Sequence, residues 1–218
     1  MKKTTTTAMA MMIGLAAGAS ARNAGPTPMV ETVRVYYRLS GGVQVDGPMF
    51  TVARERASSL LAEAGVRLEW HDGALPDGAE PFDIGITFVP KATKDYEAAA
   101  DAHALASARP YSTNTNIVVF HDRVSAFIRA YSNGDGAKVL GHVLAHEIVH
   151  MLENMARHSE SGLMTAHWKW QELRAATGDG LHMAAEDRQM VLYGIEARRR
   201  RAAAERSAQV SAQHPVVE

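Results

Sequence analysis

His146-Glu147-Ile148-Val149-His150, followed by His158 and then Ser161-Gly162-Leu163-Met164, is the stretch that decides how this chain is read. On a helix, residues four apart lie on one face about one turn from each other, so the imidazoles of His146 and His150 can grip a single ion. Glu147 follows the first imidazole directly and points to the side of that pair. There its carboxylate can reach a water on the metal without becoming a ligand. Two neutral imidazole nitrogens, a third ligand and an open position describe a catalytic zinc site rather than a closed structural one.

The flanks predict that the helix is buried. Val139-Leu140-Gly141-His142-Val143-Leu144-Ala145 runs into Ile148, Val149, Met151 and Leu152 without a proline. Apolar residues surround the motif on every side, unlike the single stripe of a surface helix. Gly134-Asp135-Gly136 offers a start. Asn154 offers an end, because asparagine tolerates the left-handed conformation that reverses a chain just past a helix. Beyond that reversal His158 can swing back toward the first two histidines.

The remaining sequence is organised around this helix. With 218 residues, 46% hydrophobic and 22% charged, the chain suits one globular domain with a sizeable core, expected over 30–207 with a tail at 208–218. Met1-Lys2-Lys3, the apolar run from Ala8 to Ala17 and Ala19-Ser20-Ala21 read as a signal peptide, with cleavage after Ala21 or, alternatively, Ala19. That run is too short to span a bilayer, so export without stable membrane insertion is expected. Losing Lys2 and Lys3 takes the formal charge from −1 to −3, which suggests no nucleic-acid partner. Cysteine is absent, which excludes disulfides, a thiol nucleophile and a lipidated cysteine anchor. Residues 22–29, with two prolines, read as an extended lead-in, and no pro-segment is recognisable.

Alternation and breakers then predict the elements in order. A strand is expected at 32–37 and a helix at 51–64, with Ala53, Ala57, Leu60, Leu61 and Ala64 inward and Gly65 as its stop. Strands follow at 66–70 and 82–88. The stretch 96–104 reads as a helical turn, and 103–108 equally as a short edge strand that could pair with an extended substrate. A buried strand at 116–120 and a helix at 121–131 precede the metal helix. A last helix at 187–206 is expected to bury Val191, Leu192 and Ile195. Together these define an α/β or α+β domain with a mixed sheet over the metal helix.

The motif, the third histidine and the later Ser161-x-x-Met164 resemble the metzincin clan of zinc metallopeptidases, whose usual form is H-E-x-x-H-x-x-G-x-x-H with a Met-turn below the metal. Here Glu153 stands at the glycine position and Ala156 at the usual third-ligand position. The spacing to His158 looks more like a group of exported bacterial metzincin-like proteins with a longer loop, in which a glycine commonly occupies the place of Asn154. The strong resemblance covers 139–168. It implies a twisted mixed sheet over an active-site helix, a Zn²⁺ cofactor held by His146, His150 and His158, and Glu147 as general base and acid. Met164 would be the Met-turn residue, and the substrate a peptide or protein.

Other readings stay open beside it. His142 and His150 are about 12 Å apart along the helix axis at ~1.5 Å per residue, too far to share an ion, so His142 is expected to pack or to support the site. Glu172 is a rival third ligand, since gluzincins take a glutamate from a later helix. His167 and Trp168 either line the cleft or pack the lower lobe. Glu153 and Glu160 are expected to be solvated charges, and the Arg198–Arg201 run the solvated end of the last helix. A zinc-binding module without catalysis, or a zinc hydrolase of non-protein amide bonds, would carry the same motif. The sequence gives no substrate preference and no oligomeric state.

Overall fold

Alternation in the first strand decides which face of the sheet is covered. In a computed structural model, which describes residues 31–93, 103–110, 116–131, 135–168 and 180–213 with 172, 174 and 178 between them, β1 (Glu31–Leu39) buries Val33 and Val35 completely and leaves Arg34 and Arg38 on the other side. The expected signal peptide and lead-in, the alanine-rich 96–102 and most of 169–176 lie outside the described residues.

Three further strands run parallel to β1 or to one another, and the last is reversed. β2 (Val66–Asp72) and β3 (Ile84–Val89) flank β1, β5 (Asn116–Phe120) follows β3, and β4 (Ala106–Ala108) lies antiparallel at the edge, giving the order β2-β1-β3-β5-β4. The mixed sheet expected from the sequence is present, and 106–108 takes the edge-strand form. Four helices accompany it among the described residues: α1 (Gly47–Ala62), α2 (His121–Tyr131), α3 (Gly136–Glu153) and α4 (Ala185–Gln213).

Local chemistry moves some boundaries from their expected places. Asp46 accepts the backbone N–H of Met49 at 2.8 Å, and Pro48 sits in the first turn, where its missing N–H costs nothing. The first helix therefore starts a turn before residue 51. β3 begins at Ile84 rather than Phe82 because Asp83 is turned inward, where it takes both Nε and Nη2 of Arg34 at 2.8 and 2.9 Å. Phe82 packs against the core from that turn.

α1 and α3 lie against each other, and Gly141 is the reason they can come so close. A Cβ on it would stand 2.7 Å from both the Ala53 carbonyl oxygen and the Arg56 Cβ. α3 is buried over nearly its whole length, as its apolar surroundings predict. It ends at Asn154, whose φ of 54° makes it the only non-glycine residue with a positive φ among those described.

α4 departs from expectation in two ways. Val191 and Ile195 are buried, but Leu192 is 49% exposed, since its Cα lies about 100° round the helix from Val191. The basic run is also not a solvated helix end: the helix continues to Gln213, Arg198 donates to the carbonyls of Met151 and Pro81, and Arg199 pairs with Glu31. Only Arg200 and Arg201 are the exposed cations expected, Arg200 paired along the helix with Glu196 and Arg201 with Glu205.

Candidate metal centre

α3 delivers two imidazoles to one place. His146 and His150 bring their Nε2 atoms to 3.1 Å from each other. Each ring is oriented through its other nitrogen: Nδ1 of His146 lies 2.9 Å from the Leu163 carbonyl, and Nδ1 of His150 lies 3.1 Å from the Met155 carbonyl. Carbonyls only accept, so both Nδ1 atoms carry the proton and both Nε2 atoms present a lone pair. Two facing lone pairs with no proton between them call for a cation.

His158 completes the group. One ring nitrogen from each of His146, His150 and His158 lies within 4.8 Å of the others, the only such cluster of three among the described residues. Glu172 is not part of it. Tetrahedral zinc with bonds of about 2.0–2.1 Å places its nitrogen ligands about 3.3 Å apart, so small rotations of the rings suffice for all three to bind. Burial also keeps the pair neutral, holding His146 down at about 3 and His150 at about 4, while His158 is lowered by its own burial. The donor set fits zinc.

Glu147 stands beside this cluster, buried, and its carboxylate accepts the backbone N–H of Ala108 from β4. Burial raises its carboxyl to about 7, against the opposing pull of that hydrogen bond. A dication nearby favours the ionised form, which would make the group a carboxylate of useful basicity near neutral pH.

The three histidines and Glu147 line a cleft of about 880 Å³. Residues of β4, Arg123 and Phe127 of α2, and Thr165, His167 and Trp168 line it as well. Among the described residues β4 pairs with β5 along one edge only, and no strand pairs with its other edge. Trp168 also sets its ring edge-on to those of His142 and His146, with centroids 6.2 Å away in each case. Met164 is buried under the loop, where its carbonyl takes the Ser159 N–H at 2.8 Å.

Of two further residues named from the sequence, Glu153 departs from expectation and His142 packs as expected. Glu153 is not a solvated charge: it is 3% exposed, and its carboxyl is pushed up to about 7 by burial. Arg157 reaches it at 3.4 Å. His142 supports the fold and not the ion; its Nδ1 donates to the Lys138 carbonyl at 2.7 Å and its Nε2 accepts the Leu181 N–H at 3.1 Å. Sequence reasoning missed Arg157, Asp187 and the Ala108 amide. An acid in the first turn of a helix suits the macrodipole, but nothing local to Asp187 shows that it faces a loop thirty residues back.

No protein-family model matches the chain, and no curated protein matches it. Among solved structures it is similar to a zinc-dependent peptidase from Methanocorpusculum labreanum, with a TM-score of 0.52 and 13% identity over 73% of this chain and 99% of that one. The protein thus has a mixed α/β architecture similar to a zinc peptidase fold, and carries a histidine cluster compatible with a metal site.

Proposed function

We propose that the protein is an exported zinc-dependent metallopeptidase of metzincin type, active on peptide bonds. What supports this most is the pair of imidazoles with their Nε2 atoms turned to each other and Glu147 set beside them. His146, His150 and His158 are the ligands in this reading, Met164 the Met-turn residue, and 30–207 the catalytic domain. A zinc ion held there supplies a Lewis acid for the substrate carbonyl and for the attacking water.

The chain's own residues do the rest. Glu147 takes a proton from the attacking water and returns it to the leaving amine. The Ala108 N–H holds that carboxylate in place, and the unpaired edge of β4 offers backbone groups to an extended peptide. Among the described residues no helix is long and apolar enough to cross a membrane. Export through the signal peptide at 1–21 is part of the proposal.

Peptide hydrolysis measured with and without a chelator, followed by zinc readdition, tests this. Activity lost on chelation and restored by zinc is expected. Activity indifferent to both would overturn it. Equimolar zinc without turnover over a broad peptide library would favour a binding module instead, and turnover confined to non-peptide amides another hydrolase class.

A further inference from the structure

His158 is the one cluster member carried by no helix, and the most exposed of the three. Something must hold it in register with two rings fixed on α3. Its chain neighbours on both sides reach the same residue: Arg157 Nη2 donates to Asp187 Oδ1 at 2.8 Å, and Ser159 Oγ donates to that same oxygen at 2.5 Å. Asp187 is fully buried in the first turn of α4. Anchoring the residues before and after His158 fixes the peptide units that carry its ring.

The cluster is a poor device for stability alone. Two buried carboxylates, Glu153 and Asp187, share the Arg157 guanidinium, and Glu153 Oε2, Asp187 Oδ2 and Arg157 Nε have no hydrogen-bond partner. Each such group is desolvated without compensation, and apolar side chains of similar volume commonly hold two elements together as well or better. What apolar packing lacks is a directed grip on residues 157 and 159. Asp187 and Arg157 both lie within electrostatic reach of His150.

We propose that Asp187, acting through Arg157 and Ser159, positions the His158 imidazole and so sets metal affinity and coordination geometry without touching the ion. This rests on the reading of His158 as a ligand. Asp187 is a positioning residue.

The test uses the full chain, zinc affinity from competition with a chromophoric chelator, and the visible spectrum of the cobalt-substituted protein. Asp187→Asn and Ser159→Ala are expected to weaken zinc binding by about 10-fold or more, within the range for partners of metal ligands, and to move the cobalt spectrum toward that of His158→Ala. Leu60→Ala, which opens a cavity at a fully buried position in α1, should lower stability and leave both readouts unchanged. Wild-type affinity and spectrum in a folded Asp187→Asn protein, while His158→Ala loses both, would overturn the inference alone. Should Asp187→Asn not fold, Ser159→Ala decides by the same criteria. If His158→Ala itself keeps wild-type affinity and spectrum, the ligand reading fails and the inference with it.

Discussion

α3 and the loop after it hold imidazoles by opposite means. On the helix, His146 and His150 are placed by periodicity, and the surrounding packing leaves little freedom; Val139, Ala145, Ile148, Val149, Met151 and Leu152 are all completely buried. In the loop, His158 has no such guarantee and depends on Asn154 to turn the chain, on Ser159 to bond Met164, and on a buried ionic cluster. A helix specifies a ligand pair through spacing alone. A loop specifies a ligand only through contacts made elsewhere in the chain.

Substitutions at four positions sharpen that contrast. Glu147→Gln keeps the shape of a buried side chain on the rigid element and removes its basicity. It should reduce kcat by about 10²–10⁴-fold with zinc affinity retained, as read by steady-state kinetics beside the chelator competition. If kcat survives, the helix supplies ligands but no base.

His142 tests whether the helix carries a buried histidine for structural reasons. Burial lowers it to about 4 from 6.5. The unfolded chain is therefore protonated first, so this contribution to stability is complete above about 6.5, falls as pH drops, and is lost by about 4. It amounts to at most about 3 kcal/mol. His142→Gln in the zinc-free protein should flatten the decline of denaturant stability over that window relative to wild type. An unchanged pH slope would contradict the burial of this ring.

Gly141→Ala pushes a methyl into the Ala53 carbonyl and the Arg56 side chain, where α1 and α3 meet. A loss of about 1–3 kcal/mol on chemical unfolding is expected. At the hinge, Asn154→Ala should cost about 1 kcal/mol through its left-handed backbone, whereas Asn154→Gly should be close to neutral. Equal stability of the two would mean that the turn does not constrain the loop.

The same contrast explains what was legible in the sequence. The limits of α3 followed from Gly136 and Asn154, and those of α2 and β5 from local pattern, because each is decided by residues within a few positions. Ala53, Ala57, Leu60 and Leu61 likewise read as the inward stripe of α1. The misjudged residues depend on distant partners. Glu153 looked solvated because Arg157 and Asp187 come together only in the fold, and Arg198 looked like a surface cation because Met151 lies 47 residues away. Hydrophobicity alone suggests burial of Leu192, but its angle round the helix from Val191 carries it to the surface. In the candidate site, the helical pair was legible as a pattern. The convergence of His158 was legible only as an opportunity, since the Asp187 contacts that hold its neighbours span about thirty residues.

The central claim is that three imidazoles converge on one ion beside Glu147. Anomalous diffraction at the zinc edge from crystals of the zinc-loaded protein tests it most directly. The expected result is a single strong peak about 2.0–2.1 Å from Nε2 of His146, Nε2 of His150 and a ring nitrogen of His158. A peak coordinated by Glu172 with His158 turned away, or no peak between His146 and His150, would contradict it.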